Sequence, residues 1–300
     1  MDRNQLASFD RIVREGSFSR AADYLGVSQA TISGRIQALE AEIGAPLFVR
    51  GGRRSALTGA GETFLPYARR ALALLAEGID AARQEHTGQY GRVTVGAIDS
   101  VIEGLLARAV ARFRRSHPQT IVSVRGEHTP QILRELADGT VRLGLVTWSY
   151  VQGTVDLEVV ARLREPLVAV AAPGHPLAGR GALSIARLVA EADPYHDTPW
   201  GTPEDARIAG TAQRNWTDHE LPHGLMRQLI LRGIGAGFLP ASIAAEDLAA
   251  GRLVALPLSD GAGLMRELAL VCHESAAALP PAAHDFAEAV LAEAALMGMR

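Results

Sequence analysis

The chain has 300 residues and a mass of 31.8 kDa, enough for about two globular domains. Hydrophobic residues make up 48% and charged residues 21%, a balance typical of folded rather than disordered chains. With a net charge of −3, any basic surface for nucleic acid must be local. All 30 basic residues are arginine, which excludes chemistry that needs a lysine amine. The single cysteine, Cys272, excludes an internal disulfide and a cysteine-built zinc site.

The first sixty residues predict three helices in close succession. Leu6, Phe9, Ile12 and Val13 lie on one face of a helix that Gly16 would end. A short second helix fits between Ser17 and Gly26, and a third follows Ser28, with Ile32, Ile36, Leu39 and Ile43 as its buried stripe. Two helices joined by a turn of about three residues are typical of a helix-turn-helix, although a small helical bundle that binds nothing shows the same layout.

Local charge favours the DNA-binding interpretation. No acidic residue occurs from Tyr24 to Leu39, nor from Ile43 to Gly61. The second of these stretches reads as a hairpin that turns at Gly51 and Gly52, with Arg50, Arg53 and Arg54 at its tip. An arginine-tipped hairpin beside a recognition helix predicts contacts with DNA phosphates.

These residues resemble the winged helix-turn-helix of LysR-type transcriptional regulators. The agreeing positions are Phe9, Gly16-Ser17-Phe18-Ser19, Ala21-Ala22, Leu25, Ser28-Gln29, Ser33, Ile36, Leu39-Glu40, Gly44, Leu47-Phe48, Arg50, Arg53, Leu57-Thr58 and Ala60-Gly61. Gly34 departs from the arginine or other polar residue usual in the family's recognition helix. The resemblance implies DNA binding by a set of residues in the third helix and the wing. The set is Ser28, Gln29, Ala30, Thr31, Ser33, Gly34, Gln37, Arg50, Arg53 and Arg54.

A long amphipathic helix is predicted next. Its apolar residues are spaced three and four apart, as in a coiled-coil seam: Leu65, Ala68, Leu72, Leu75, Ile79 and Ala82. We predict dimerisation through Leu65, Leu72, Leu75 and Ile79; packing of this helix on its own domain is the alternative. Residues 87–91 predict a hinge between domains.

The remaining residues alternate between short apolar strands and helices, which predicts parallel, doubly wound α/β lobes. A second lobe contains a strand at 167–172, a helix at 225–231 and a strand at 235–239. The strand at 268–271 and the helix at 285–296 return to the first lobe. Phrases such as Leu167-Val168-Ala169-Val170 and His175-Pro176-Leu177 resemble the periplasmic-binding-protein-like effector domain of the same family.

The predicted fold class is therefore α+β and multidomain. A winged helix-turn-helix occupies residues 1–60, the linker helix and hinge 61–90, and a two-lobed α/β effector domain 91–300. Lobe I takes 91–164 and 267–300, and lobe II takes 165–266.

Ligands of open α/β sheets bind beyond the carboxyl ends of the strands. The residues at these ends predict an effector site of Asp99, Ser100, His128, Thr129, Thr147, Trp148, His196 and Thr202. Ser100 also opens a helix, so its hydroxyl and the nearby amides suit a carboxylate.

We interpret the chain as a transcriptional regulator that binds double-stranded promoter DNA as a homodimer or homotetramer and responds to a small-molecule effector. The alternative is a solute-binding module with an N-terminal interaction domain. An enzyme is disfavoured because lysine and a G-x-S-x-G nucleophile motif are both absent. We predict no metal and no cofactor. Since no apolar signal-peptide core and no membrane-length apolar run occur, we expect a cytoplasmic location without membrane contact.

Overall fold

A computed structural model of the chain describes residues 1–49, 55–87, 91–152, 157–196, 200, 221–261, 263–273 and 275–299. Three helices come first: α1 (Arg3–Glu15), α2 (Phe18–Leu25) and α3 (Gln29–Ile43). Ser17 and Ser28 cap α2 and α3 with their side-chain oxygens, as predicted. Gly16, Gly26 and Gly44 end the three helices with φ angles of 62°, 65° and 78°, in the left-handed region that glycine enters without strain.

The fourth helix, α4 (Gly59–Thr87), is the predicted linker helix. Its first turns pack on the three N-terminal helices around a core that includes Phe9, Ile32, Leu39 and Phe48. Ala68 of α4 is buried in this core, so the start of the helix belongs to the N-terminal domain.

The first lobe is a sheet covered by helices on both faces. Its elements in chain order are β1 (Arg92–Ala97), α5 (Asp99–Val101), a π-helical turn (Ile102–Leu106), α6 (Ala107–Ser116), β2 (Ile121–Gly126), α7 (Thr129–Ala137), β3 (Leu143–Thr147) and a 3-10 turn (Trp148–Tyr150). β1 pairs in parallel with both β2 and β3, as the alternation of strands and helices predicted.

One long strand joins the two lobes. β4 (Glu158–Ala171) runs antiparallel to β8 (Met265–Cys272) as far as Pro166 and then, from Leu167, antiparallel to β6 (Ala236–Pro240). The strand predicted at 167–172 is confirmed as the second part of β4, which ends at Ala171. The first part, from Glu158 in lobe I, was not predicted because its charged residues hid the extended pattern.

Lobe II is built on the second part of β4. Its other elements are α8 (Ile185–Glu191), β5 (Tyr195–His196), α9 (His223–Leu231), β6, α10 (Ala241–Ala249) and β7 (Val254–Ala255). Its core includes Met226, Phe238 and Leu188. The predicted helix at 225–231 and strand at 235–239 correspond to α9 and β6.

The chain then returns to lobe I, as predicted. β8 lies between β3 and β4 in the lobe I sheet. The last helix, α11 (Pro281–Leu296), packs beside α6, where Phe286 meets Phe113 edge-to-face with ring centres 5.2 Å apart. The predicted fold class, a winged helix-turn-helix followed by a linker helix and a two-lobed α/β domain, is confirmed. The prediction of parallel sheets is wrong, because β8 runs antiparallel to β3 and β4 after the chain has returned from lobe II.

Candidate nucleic-acid interface and effector cleft

The third helix presents one face to the core and the other to solvent. Ile32, Ile36 and Leu39 are buried. Ser33 is half-buried, and the remaining predicted reading residues of this segment are exposed. They are Ser28, Gln29, Ala30, Thr31, Gly34 and Gln37.

Part of this exposed face is held by internal hydrogen bonds. The Oγ of Ser28 accepts from the backbone N–H of Thr31 and lies 2.9 Å from its hydroxyl. Ser19 donates to the Oε1 of Gln29 at 3.0 Å. A side chain at position 34 would meet nothing, since an ideal Cβ there has no atom within 4 Å. Packing does not require glycine at this position, and the absence of a side chain leaves the reading face sparse.

The wing begins beside the third helix. Phe48 and Leu57 form an antiparallel bridge, and the N–H of Val49 donates to the carbonyl of Ala56 at 2.9 Å. The predicted tip residues Arg50, Arg53 and Arg54 lie outside the described residues. The Oε1 of Glu40 accepts from the N–H groups of Leu47 and Phe48 at 2.7 and 3.3 Å. Sequence reasoning missed this role of Glu40, which fixes the wing against the third helix.

Strand register brings several predicted effector residues to one edge of lobe I. Ala97 of β1 lies opposite Gly126 of β2 and Leu145 of β3, so β1 and β2 end at the same level and β3 ends two residues later at the same edge. Ser100, Thr129 and Thr147 follow or close these strands. Thr129 Oγ1 accepts from the N–H of Thr147 at 3.2 Å.

The other lobe I candidates differ in exposure. Asp99 and His128 are exposed, and His128 precedes α7. Trp148 is half-buried, its ring 4.6 Å from the guanidinium carbon of Arg162, and its indole Nε1 is buried without a partner among the described residues. Trp148 thus brings an unused donor to the strand ends.

An ion pair that sequence reasoning missed holds the last turn of α7 against β2. Arg125 binds both carboxylate oxygens of Glu135 at 2.8 Å. Burial would raise the pKa of Glu135, but its bonds from Arg125 and Gln131 hold that pKa below the ordinary value. The pair therefore stays charged and joins the end of α7 to the end of β2.

The role predicted for Ser100 needs correction. Ile98, not Ser100, is the N-cap of α5, and the Ser100 hydroxyl does not cap the helix. Its Oγ accepts from Nη1 of Arg266 at 2.7 Å instead, because the guanidinium of Arg266 reaches it from β8. The side chain is buried, so Ser100 does not form an open helix terminus.

Arg266 is the centre of a buried network at the junction of the lobes. It is 1% exposed, and its Nε lies 2.7 Å from Oε2 of Glu165 on β4. The Oε1 of Glu165 accepts from the N–H of Ser242 on α10 at 2.7 Å. Burial lowers the pKa of Arg266, and the charge of Glu165 opposes that shift. The network therefore links the hydroxyl of Ser100 in lobe I to α10 in lobe II.

The lobes also touch directly. An ideal Cβ on Gly104, in the π-helical turn, would lie 2.2 Å from the Oγ of Ser242. Beside it, the carboxylate of Glu103 lies 3.1 Å from Nε2 of His223 and 3.3 Å from Nη1 of Arg227, both on α9. π-Helical turns often occur at functional sites. No local pattern could have indicated these contacts, because the partners are more than a hundred residues apart.

His196 lies in lobe II at the end of β5. Its Nε2–H donates to the carbonyl of Ile234 at 2.8 Å, which leaves Nδ1 as the unprotonated nitrogen. Nδ1 is buried without a partner among the described residues, and burial lowers the pKa of His196 while the bond to Ile234 opposes this shift. Among the described residues, His196 makes no hydrogen bond to the lobe I candidates, and Thr202 lies outside the described residues.

The predicted dimer seam divides into two parts. Leu65 and Leu72 are half-buried against the N-terminal domain, as the alternative interpretation held for this part of the helix. Leu75 and Ile79 are 47% and 39% exposed. The open part of the seam therefore starts at Leu75.

One arginine of α4 connects all three parts of the chain. The Nε of Arg69 lies 2.6 Å from Asp10 of α1, and its Nη1 lies 2.7 Å from Asp138, which follows α7. Burial alone would lower the pKa of Arg69, but the bonds and charges of the two aspartates raise it. Arg69 thus stays charged and joins the DNA-binding domain to lobe I.

Two family models match the chain. The first, described as bacterial regulatory helix-turn-helix protein, lysR family, matches residues 3–62, and the second, described as LysR substrate binding domain, matches residues 86–295. The chain belongs to the LysR family of transcriptional regulators. The resemblance seen in the sequence is confirmed, and this LysR-type regulator is a DNA-binding protein with an effector-binding domain rather than an enzyme.

Relatives of this LysR-type regulator match it along its whole length. The RuBisCO operon transcriptional regulator of Allochromatium vinosum is 30% identical over 303 residues, covering 99% of this chain and 97% of its own. Two solved structures are similar in fold. Full-length CbnR in complex with its target DNA has a TM-score of 0.66 at 24% identity, with 98% of this chain and 100% of that chain covered. LysG of Corynebacterium glutamicum with bound effector Arg has a TM-score of 0.64 at 23% identity, with 99% of each chain covered.

Among the described residues of the regulator, one group of side chains has the spacing of a metal site. His284, Asp285 and Glu288 on α11 place ligand atoms within 4.8 Å of one another, but two of them are exposed and Asp285 also lies 3.3 Å from His117. Such surface groups do not make a metal site by themselves. No helix among the described residues combines the length and the apolar character that a membrane span needs.

Proposed function

We propose that this regulator binds promoter DNA through α3 and the wing, and that a small molecule between the two lobes modulates that binding. The observation that carries the proposal is the register of β1, β2 and β3, which gathers Ser100, Thr129 and Thr147 at one edge of lobe I. Since α/β sheets bind ligands beyond their strand ends, this edge is the natural effector rim. The cytoplasm, where promoter DNA is found, is the location we propose.

At the DNA, the proposed readers are the exposed residues of α3 named above, and Arg50, Arg53 and Arg54 would contact phosphates. Because Ala30 and Gly34 offer little to base edges, specificity should depend on DNA shape. Changing base pairs that the protein does not contact should then alter operator affinity, measured by fluorescence anisotropy. A flat response across such operator variants would contradict shape readout.

The phosphate role of the wing has a separate test. Arg53→Ala should weaken binding to operator and random DNA alike and lower the salt slope of the binding constant by about one. Arg115→Gln, an exposed arginine on α6, is the control and should leave both DNA affinities unchanged. Loss of operator binding alone would mean that the wing reads bases.

The effector itself should carry an acceptor oxygen. The Oγ of Ser100 already accepts from Arg266, so its hydrogen is available to donate. A carboxylate or carbonyl oxygen is the complementary group. The indole N–H of Trp148, buried and unpartnered among the described residues, would be a second donor for the same kind of group.

Effector candidates can be found by thermal shift over a metabolite panel, because a ligand stabilises the state that it binds. The DNA-binding titration is then repeated with the best candidate on Ser100→Ala and Thr147→Ala. We expect each change to weaken the effector response by about 1–3 kcal/mol and to leave effector-free DNA affinity unchanged. Ser123→Ala, in the middle of β2, is the matched control. An unchanged response in the Ser100→Ala, Thr147→Ala double variant would place the effector elsewhere.

We also propose that the regulator dimerises through the open part of α4, from Leu75 onwards. Two such dimers could assemble into a tetramer. Two DNA-binding domains held by one helix pair would fit two half-sites. The double variant Leu75→Asp, Ile79→Asp should halve the sedimenting mass and abolish binding to a two-half-site operator. The reason is that carboxylates of like charge would be buried against each other at the seam. Leu296→Asp, an exposed leucine on α11, is the control. A native mass in the seam variant would refute this role of α4.

A further inference from the structure

A second cavity lies away from the lobe junction, between α4 and lobe I. Its volume is about 160 Å³. Arg70 and Leu74 of α4 form one wall, and Leu136, Val141 and Leu279 of lobe I form the other. The cavity therefore touches both the linker helix and the effector domain.

The size of the cavity suits one small ring. An engineered apolar protein cavity of about 150 Å³ holds a benzene molecule, and this one has a similar volume but is open to solvent on one side. Leu136 and Val141 are each 1% exposed, so the far wall belongs to the buried core of lobe I. A group of about six carbons would fill it.

Two arginines, Arg70 and Arg142, line the cavity, and none of its lining residues, all of them described, is acidic. Arg70 is exposed and makes no ion pair with the residues that the structure describes. A cation at the mouth of an apolar cavity attracts an anionic head group whose apolar part can enter.

We propose that this cavity is a second ligand site, for a small monocarboxylate with an apolar group about the size of a six-membered ring. The carboxylate lies at Arg70, and the ring lies between Leu74 and the lobe I wall. The site is separate from the inter-lobe cleft and does not depend on the effector assignment there.

The position of the cavity indicates what effect a bound ligand would have on the protein. Asp138 and Gly139 meet α4 next to the cavity, where Asp138 bonds Arg69 at 2.7 Å and an ideal Cβ on Gly139 would lie 3.2 Å from Cβ of Ala73. A ligand that touches both walls stabilises this docked arrangement over any arrangement in which lobe I leaves α4. The site therefore biases the same junction through which lobe I reaches the DNA-binding domain.

The test is isothermal titration of the full-length protein with cyclohexanecarboxylate, and with cyclohexylammonium as the charge-reversed control. We expect saturable binding of the carboxylate only. Arg70→Gln should weaken it at least fivefold, while Arg70→Lys retains it within about twofold and Arg115→Gln leaves it unchanged, as expected for a single charged contact. Thr147→Ala, on the rim of the other cleft, should also leave it unchanged.

Three results would overturn the proposal. The first is no measurable heat of binding for the carboxylate, and the second is equal binding of the ammonium ion. The third is a loss of binding in Thr147→Ala together with unchanged binding in Arg70→Gln, since the molecule would then occupy the inter-lobe cleft. Because Arg70 is exposed, its substitution does not disturb the core, and unfolding curves of the variants verify this.

Discussion

Replacing Gly104 by alanine tests how closely the two lobes are packed. The added Cβ would lie 2.2 Å from Oγ and 2.9 Å from Cβ of Ser242, both too short for non-bonded atoms. Rotating the serine hydroxyl relieves the first clash but not the second. The lobes must then separate, or the π-helical turn must shift.

The size of the effect follows from the cost of overpacking, about 1–3 kcal/mol for one extra carbon in a filled interior. If the lobes separate, the same energy changes the ratio of closed to open forms by about 5- to 150-fold. The backbone preference of alanine over glycine acts in the opposite direction, by about 0.5–1 kcal/mol. A double-mutant cycle with Ser242→Gly removes this term, because it is the same in both backgrounds.

The assay is urea unfolding of the four proteins of the cycle, with amide hydrogen exchange of α10 as the local measurement. We expect a coupling free energy of about 1–3 kcal/mol between positions 104 and 242, and faster exchange in α10 for Gly104→Ala alone. Gly34→Ala is the matched control, since nothing lies near its Cβ. A coupling energy below about 0.5 kcal/mol, with unchanged exchange, would refute the close packing of the lobes.

Three further outcomes follow from the structure. Gly34→Ala should raise the free energy of unfolding by about 0.5–1 kcal/mol in urea titrations, because it favours the helix without a clash, and a loss of stability would show a hidden contact. Because burial lowers the pKa of His196, the folded state resists its protonation, so stability should fall as the pH drops below about 6.5, the ordinary pKa of histidine. His196→Gln should reduce that slope in urea titrations from pH 7 to pH 5, and an equal slope in both proteins would contradict the assignment. Arg69→Gln should uncouple the DNA-binding domain from the effector domain, since it removes the ion pairs to Asp10 and Asp138, and calorimetry should then resolve two transitions where the native chain has one. An unchanged thermogram would exclude Arg69 as the connection.

The N-terminal domain was predictable because its signals are local. Ser17 and Ser28 accept from N–H groups three residues ahead, and the glycines that end the helices lie directly after the apolar stripes. Capping and periodicity act within one or two turns of chain, so a single sequence contains them.

The long strand and the lobe junction were not predictable in the same way. Glu165 lies in β4 among charged residues that obscure a strand pattern, and it is buried only because Arg266, 101 residues later, pairs with it. Gly104 and Ser242 meet through the fold alone. Such pairs depend on tertiary placement, which composition and periodicity do not record. The candidate effector residues of lobe I were found because strand ends are local features, but what touches Ser100 was not.

The strand that crosses between the lobes, β4, also determines how far a small bend at the lobe junction displaces lobe I. β4 changes its partner after Pro166, and proline carries no N–H, so no ladder hydrogen bond from this residue resists bending at that point. From Pro166 back to Glu158 the strand forms an arm of about 27 Å at roughly 3.3 Å per residue. A bend of about 10° at the proline moves the end of such an arm by about 5 Å, the rise of roughly one and a half base pairs in a duplex that advances about 34 Å per turn. In the proposed dimer, such a bend would be transmitted through Arg69 and α4 and would change the distance between the two DNA-binding domains.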